Sequence, residues 1–244
     1  MSKPDVRILP DLAAVADAAC EHVCNRAWAA VQERGRFTLA LSGGSTPRAL
    51  YQRLATHPEL PWDHMELCFG DERAVPPDDP SSNARMVAEM LTHHSFVPAG
   101  RVHRMRGELP AAQAASDYEQ TLRSVFGTSA GFPRFDLVLL GLGPDGHTAS
   151  LFPHSTGQLE HKAWVVANMG TNPAVERITL TYPVLNAAVE LLFLVVGADK
   201  AWALSQVLES QAPVAAIPAR GIQPTDGAVT LLVDRAAASS LSAG

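Results

Sequence analysis

Short apolar runs alternate with longer helical patterns along nearly the whole chain, and this alternation restricts the possible folds most strongly. Apolar runs of this length, bounded by glycine, proline and polar residues, indicate buried strands. They occupy residues 6–9, 37–41, 65–69, 135–140, 163–167, 176–180, 190–196 and 229–233, and helices are predicted over 12–34, 47–54, 82–91, 110–126 and 199–208. This alternation predicts an α/β fold, a Rossmann-like, doubly wound and mainly parallel sheet with helices on both faces.

The predicted helix ends carry recognisable signals. Asp11 suits the N-cap of the first helix and Gly35 its end, while Pro47 suits the first position of the second helix. Ser82 is typical of an N-cap as well. Because no repeat, low-complexity segment or clear linker interrupts the pattern, we expect residues 1–244 to form a single domain.

The overall composition excludes some classes of partner. The chain has 244 residues, of which 47% are hydrophobic and 18% charged, and its formal net charge is −6. No run of lysine or arginine occurs, so neither nucleic acid nor an anionic membrane is an expected partner. A phosphate would therefore have to be bound by a local pocket.

The termini and the cysteines suggest a cytoplasmic protein. Residues 1–10 lack a signal-peptide pattern, and no apolar stretch reaches membrane-spanning length. Cys20, Cys24 and Cys68 form no C-x-x-C pair, so we expect buried thiols in a reducing compartment and no metal site.

The remaining histidines and the oligomeric state are less informative. His93, His94 and His103 have no partners at metal-ligand spacing and are predicted to be surface or packing residues. We expect a monomer, with a homodimer as the alternative.

A glycine-rich segment follows the fourth predicted strand and predicts an active-site loop. Its glycines allow a tight turn with exposed N–H groups at the carboxyl end of the strand, the edge at which open α/β sheets bind ligands. The turn also carries a carboxylate and an imidazole, and histidine can take a proton near neutral pH. The alternative is a plain turn with a surface histidine. The residues concerned are Gly141, Gly143, Gly146, Asp145 and His147.

The same glycines match the G-x-G-x-x-G dinucleotide fingerprint, which also requires a long following helix and an acidic residue about 20 positions on. Pro153 ends any helix within two turns, and Asn168 closes the next apolar run with no acid beside it. A nicotinamide site is therefore not predicted.

The turn between the second strand and the second helix resembles a phosphate cradle. Gly43 and Gly44 let backbone amides approach an anion, Ser45 and Thr46 add hydroxyl donors, and the helix presents its positive end. The Gly-Lys-Ser/Thr of a nucleotide P-loop is absent. The alternative is an ordinary helix start with a threonine cap.

Charged residues form further candidates at strand and helix ends. Asp71 is placed to accept hydrogen bonds from sugar hydroxyls and Arg73 to pair with a phosphate, while Glu72 is expected to hold Arg73. A solvated charge cluster is the alternative. Lys200 at a helix start suggests a nearby anion, and Arg220 is a further basic candidate.

Taken in order, these motifs resemble those of the 6-phosphogluconolactonase family, and the match spans nearly the whole chain. The resemblance implies a cofactor-free and metal-free hydrolysis of 6-phospho-D-glucono-1,5-lactone to 6-phosphogluconate. The motifs are Ser42-Gly43-Gly44-Ser45-Thr46-Pro47, Gly70-Asp71-Glu72-Arg73, Ser82-Asn83, the segment from Gly141 to Pro153, and Arg177-Ile178-Thr179-Leu180-Thr181.

A related family, glucosamine-6-phosphate deaminase, shares the glycine turn and the Asp-Gly-His triplet. Its pattern continues with an Asn-Glu pair that helps to open the sugar ring, whereas this chain has Leu151 and Phe152 there. Neither side chain moves a proton, so the deaminase is the weaker alternative. A sugar-phosphate sensor without turnover is the non-enzymatic one.

The lactonase interpretation gives each candidate a role. His147 is the expected general base and Asp145 orients His147 or the attacking water, since no serine lies in a nucleophile-elbow context. Amides of the glycine turn or Arg177 would stabilise the oxyanion. The expected substrate-binding residues are Ser42, Gly43, Gly44, Ser45, Thr46, Asp71, Arg73, Asn83, Gly143, Gly146, Arg177 and Lys200.

Overall fold

The computed structural model describes residues 4–128, 130–171 and 174–242. Residues 1–3 of the segment 1–10, in which no signal peptide is predicted, lie outside the described residues. The strands are β1 (Asp5–Leu9), β2 (Phe37–Leu41), β3 (Met65–Phe69), β4 (Asp71–Arg73), β5 (Leu137–Gly141), β6 (Val165–Met169), β7 (Glu176–Leu180), β8 (Glu190–Val195) and β9 (Ala228–Asp234). The α-helices are α1 (Leu12–Arg34), α2 (Ser45–Ala55), α3 (Asn83–Val87), α4 (Ala111–Phe126), α5 (Tyr182–Asn186) and α6 (Ala201–Glu209).

Six strands form a parallel sheet in the order β1-β9-β8-β5-β2-β3. The chain leaves β2 toward β3 on one side, whereas β5 lies on the other side, so the strand order reverses between β2 and β5. Ligands of open α/β sheets bind outside the carboxyl ends of the strands at such a switch point. The predicted mainly parallel α/β fold is confirmed, and the two glycine turns follow β2 and β5, which are neighbours in this sheet.

Three further strands form a separate antiparallel sheet in the order β4-β7-β6. Two of these strands are the ones predicted near 163–167 and 176–180. The third, β4, was not predicted as a strand, because three charged residues in a row carry no apolar strand pattern. It forms because its backbone pairs with Arg177, Ile178 and Thr179.

The first helix begins and ends as expected. The Asp11 side chain accepts a hydrogen bond from Ala14 N at 2.9 Å, and Gly35 ends α1 with φ of 74°, a conformation that favours glycine. A stripe of small and β-branched residues, including Val15, Ala19 and Val23, lies buried against the core.

The later helices differ in places from the prediction. Helix α2 begins at Ser45, two residues before the predicted start, so Pro47 lies within the first turn, where a missing N–H breaks no hydrogen bond. In place of the predicted helix 82–91, the structure has the short helix α3, which ends at Val87, followed by a π-helical turn, Ala88–Thr92. A 3-10 turn, Ala198–Lys200, precedes α6, and α5 was not predicted.

All three cysteines are buried and none forms a disulfide within the described residues, as expected. A hydrogen bond between the thiols lowers the pKa of Cys20 and raises the pKa of Cys24. His93 and His94 are exposed, while His103 binds Glu66 at 2.7 Å. Within the described residues, no helix is long and apolar enough to cross a membrane.

Candidate active site

A cavity of about 220 Å³ lies at the switch point, outside the carboxyl ends of β2 and β5. Both predicted loops contribute to its wall, together with charged residues from β4 and from the start of α6. The lining comprises Ser42, Gly43, Gly44, Ser45, Thr46, Pro47, Gly70, Asp71, Arg73, Asn83, Leu139, Leu140, Gly141, Leu142, Gly143, Pro144, His147, Ala149, Leu194, Val196 and Lys200.

One wall of the cavity is the turn between β2 and α2. The Tyr51 hydroxyl accepts a hydrogen bond from Ser42 N at 2.9 Å and donates one to Ser42 O at 2.7 Å, which fixes the start of the turn. Gly44 at the N-cap has no side chain to satisfy the amides of the first turn. Ser42 Oγ is buried and finds no hydrogen-bond partner among the residues that the structure describes. This wall therefore offers unused donors to a ligand.

Gly43 is in close contact with Asn83. A Cβ atom built on Gly43 would lie 2.0 Å from Asn83 Oδ1, so only glycine fits there without displacing the amide. Asn83 in turn donates through Nδ2 to Asp71 O at 2.9 Å. The cradle and the charged cluster of β4 are thus packed directly together.

The turn after β5 contributes His147 to the cavity lining, and Asp145 binds His147 from within the same turn. His147 Nδ1 lies 2.5 Å from Asp145 Oδ1, and His147 N donates to the same oxygen at 3.1 Å. Burial alone would raise the pKa of Asp145, but hydrogen bonding and the charge of His147 outweigh it and lower that pKa. The Asp145 carboxylate therefore stays ionised, and its hydrogen bond to Nδ1 fixes the orientation of the His147 ring.

The glycines of this loop fit it closely. Gly143 N donates to His147 O at 2.8 Å, and a Cβ atom on Gly143 would lie 2.0 Å from His147 Nδ1 and 2.7 Å from Asp145 Oδ1. Gly146 has φ of 84°, and its Cα faces Ile217. Ala149 lines the cavity with φ of 48°, which is uncommon for a residue other than glycine, asparagine or aspartate.

Glu72 does not hold the Arg73 guanidinium, and the expectation that it would is wrong. Its buried carboxylate accepts from the backbone N–H groups of Arg73, Asn83 and Ala84 and from the Ser82 hydroxyl. Burial raises the pKa of Glu72. An unpaired buried carboxylate is costly, and the backbone N–H groups at the start of α3 have no partners within the helix. The Glu72 carboxylate therefore accepts hydrogen bonds from these N–H groups.

The Arg73 guanidinium is instead held by Ser81 O at 3.0 Å and by Asn83 Oδ1. Asp71 accepts a hydrogen bond from Ser150 Oγ at 2.6 Å, which ties β4 to the segment after His147. Both charged side chains are therefore positioned before any ligand arrives, and both line the cavity.

The other basic candidates separate in space. Lys200 lines the cavity, and its Nζ lies 2.9 Å from Asp199 Oδ2, so the anion beside it in the structure is a carboxylate.

Arg177 lies opposite Arg73 in the antiparallel sheet and outside the cavity lining. It is buried, its Nε has no partner within the described part of the chain, and burial lowers its pKa. Arg220 lines a different recess and donates to Ala212 O.

Sequence reasoning assigned no role to three residues that shape this site. Tyr51 fixes the cradle, Ser150 binds Asp71, and the Phe152 ring packs on the His147 ring with 4.6 Å between centroids. Ser150 and Phe152 lie within the recognised loop, so their presence was visible although their contacts were not. Tyr51 acts through the packing of α2, for which the sequence has no local signal.

An uncapped glycine–hydroxyl turn and the histidine of an Asp–His pair line one cavity at the switch point of a parallel sheet, and the family model that the chain matches places it in the sugar-phosphate isomerase and lactonase class. The family model described as "Glucosamine-6-phosphate isomerases/6-phosphogluconolactonase" matches residues 10–231. The chain belongs to the 6-phosphogluconolactonase family. It is 43% identical to a 6-phosphogluconolactonase of Nostoc sp. over 244 residues, which cover 98% of this chain and 99% of the relative. A 6-phosphogluconolactonase of Rattus norvegicus is 41% identical over 86% of this chain and 82% of its own length.

Solved structures agree with the fold. The 6-phosphogluconolactonase from Trypanosoma brucei superposes with a TM-score of 0.88 at 30% identity, covering 99% of this chain and 100% of that one. A monomeric glucosamine-6-phosphate deaminase superposes with a TM-score of 0.81, over 97% and 99% of the two chains, at only 21% identity. The second likeness concerns the fold alone.

Proposed function

We propose that this protein hydrolyses 6-phospho-D-glucono-1,5-lactone to 6-phospho-D-gluconate in the oxidative pentose phosphate pathway, with His147 as the general base. The observation that carries the proposal is the imidazole, held by Asp145, that lines the same cavity as an uncapped anion cradle. Such a site can bind a phosphate at one end and activate water at the other. We further propose that the chain acts as a single domain in the cytoplasm, as a monomer.

The phosphate is assigned to the cradle. The amides of Gly43 and Gly44, the hydroxyls of Ser45 and Thr46, and the positive end of α2 receive it. Arg73 and Lys200 line the same cavity and supply two positive charges. A dianion is thereby bound locally, although the chain carries a net charge of −6.

The lactone carbonyl is assigned to the His147 side of the cavity. Because Asp145 occupies Nδ1, Nε2 is the ring nitrogen available to take a proton from water. The water oxygen attacks C1, and the amides of the glycine turn stabilise the negative oxygen of the tetrahedral intermediate. Asp145 stabilises the imidazolium that forms.

The second half of the reaction returns the proton. The C1–O5 bond breaks, His147 Nε2 donates its proton to the departing ring oxygen, and the new carboxylic acid loses its own proton to solvent. Asp71 lines the cavity and is assigned to the sugar hydroxyls, since Ser150 and Asn83 hold its carboxylate in place.

The test compares acid release from freshly prepared lactone by the wild type, by His147→Ala and by the control His94→Ala, after subtracting spontaneous hydrolysis. His94 is exposed and lies outside the cavity lining. Loss of a general base costs about 10²–10⁴-fold in rate, so His147→Ala should lose that much while still binding 6-phosphogluconate. Turnover within about twofold of wild type would refute the assignment of the base.

The same assay distinguishes the alternatives. A sugar-phosphate sensor would bind 6-phosphogluconate without accelerating hydrolysis, and a deaminase would release ammonia from glucosamine 6-phosphate. Leu151 and Phe152 stand where the deaminase pattern has its proton-moving pair, and Phe152 packs on the imidazole. We expect lactone hydrolysis and no ammonia.

A further inference from the structure

Two cysteines of α1 and a histidine from the segment after α2 form a cluster remote from the catalytic cavity. The Sγ atoms of Cys20 and Cys24 and a ring nitrogen of His57 all lie within 4.8 Å of one another. The cysteines are four residues apart, so they share one face of α1. His57 follows the C-cap of α2, Thr56, and comes from a different part of the chain, which is why sequence spacing did not indicate the group.

The cluster is held in place by the surrounding backbone. The Trp28 side chain of α1 donates to Glu59 O at 2.7 Å, and His57 N donates to Leu54 O at 3.0 Å. The loop that carries the histidine is therefore bound both to α1 and to the end of α2. Because three donor atoms converge before any ion binds, little ordering entropy remains to be lost on binding.

The charge around the cluster favours a cation. The recess outside the thiols is open to solvent and is lined by three carboxylates, those of Asp17, Glu21 and Glu59, against one guanidinium. That guanidinium, Arg53, is paired with Asp17. The recess therefore offers an entry path, an attractive field and carboxylates able to complete a coordination shell.

We propose that Cys20, Cys24 and His57 form a binding site for a zinc-like divalent cation, with water or a recess carboxylate as the fourth ligand. Zinc accepts tetrahedral thiolate and imidazole ligands, with Zn–S of about 2.3 Å and Zn–N of about 2.0–2.1 Å. Ligand atoms in such a shell are roughly 3.5–3.8 Å apart, so adjustments of about 1 Å from the present positions suffice. Binding forms two Zn–S bonds and releases the two thiol protons to solvent.

The site would act on stability and not on the chemistry. None of its three ligands lines the cavity, and His57 follows the end of α2 opposite to the cavity-lining residues Ser45 and Thr46. A bound ion would join α1 to the segment after α2. This inference is independent of the proposed function.

The test uses the full chain, stripped of metal and kept reduced, titrated with Zn²⁺ by calorimetry and with Co²⁺ by absorption. We expect one equivalent per chain, together with the thiolate charge-transfer and tetrahedral d–d bands of Co²⁺. Zn²⁺ at about 100 times Kd should raise Tm by roughly 5–10 °C. A titration showing no bound equivalent, or Co²⁺ spectra without sulfur ligation, would overturn the proposal.

Variants locate the ion. Cys20→Ser, Cys24→Ser and His57→Gln should each weaken binding by more than the roughly 10–100-fold that loss of an outer-shell partner costs. The matched controls Cys68→Ala and His94→Gln change a thiol and an imidazole elsewhere and should leave affinity unchanged. All of these variants should retain lactone hydrolysis. Undiminished binding by the three ligand variants would place the ion elsewhere and refute the site.

Discussion

Gly143→Ala should abolish most turnover without unfolding the protein, because the added Cβ clashes with the catalytic ring and with the Asp145 carboxylate that holds it. The added Cβ would lie 2.0 Å from His147 Nδ1 and 2.2 Å from Cε1, whereas ordinary contacts begin near 3.4 Å. The imidazole must therefore retreat by about 1.4 Å, and misplacement by about 1 Å can cost 10²-fold in rate. We expect kcat to fall by about 10²–10³-fold, equivalent to roughly 3–4 kcal/mol in the barrier.

The assay is initial-rate acid release from fresh lactone, with 6-phosphogluconate affinity measured separately by calorimetry. Affinity should change little, because the residues of the cradle, 42–46, belong to the turn after β2 and not to the turn that carries Gly143. A side chain that swings aside leaves the fold intact, so Tm should fall by only a few degrees.

Gly100→Ala is the matched control for the added methyl group. A Cβ there meets no heavy atom of the described residues within 4 Å, and Gly100 lies outside the cavity lining. It should keep wild-type rates. If Gly143→Ala stayed within about twofold of wild type, the close fit between Gly143 and the imidazole would be irrelevant to catalysis and the reasoning would fail.

Three further predictions follow from charges and ligands. Arg73→Ala should weaken 6-phosphogluconate binding by about 1.5–3 kcal/mol, while an unphosphorylated lactone loses little; equal losses would show that Arg73 acts structurally. Exhaustive EDTA treatment should leave kcat unchanged, because the metal-ligating cluster found among the described residues, Cys20, Cys24 and His57, lies outside the cavity lining. Loss of activity that a divalent ion restores would contradict this. Burial would raise the pKa of Glu190, but His22, Thr230 and Arg26 lower it, so its contribution to stability is present above the unfolded pKa of about 4.3 and is lost as pH falls. The free energy of unfolding, measured with urea between about pH 6 and about pH 3, should therefore depend less steeply on pH in Glu190→Gln than in the wild type. An identical slope would exclude this role.

The site was predictable from sequence where backbone geometry dictates position. Parallel strands present their carboxyl ends at one edge, so the turns carrying Gly43 and His147 were expected at the same edge, and the pairing of β2 with β5 makes them neighbours there. The fold followed from the same apolar runs, because strands buried on both faces have a strong and local pattern.

Other parts of the structure depend on contacts that no local pattern encodes. Strand β4 forms from three charged residues because β7 pairs with it, and Glu72 turns toward free amides of α3 and not toward its neighbour Arg73. The burial of Arg177 follows from the same pairing. In each case a distant partner outweighs the local preference of the residues.

The position of the site at the junction of β5 and β2 has a consequence for how activity arises during folding. Thr38 on β2 donates through N and Oγ1 to Asp136, 98 residues later, at 2.7 and 2.8 Å, and the cradle and the imidazole approach only when these distant segments pair. Such long loop closures are slow. Enzymatic activity should therefore return no earlier than the slowest spectroscopic phase on dilution from denaturant, and a burst of activity before that phase would contradict this order. No fragment that ends before β5 contains both turns, so catalysis reports the pairing of β2 with β5.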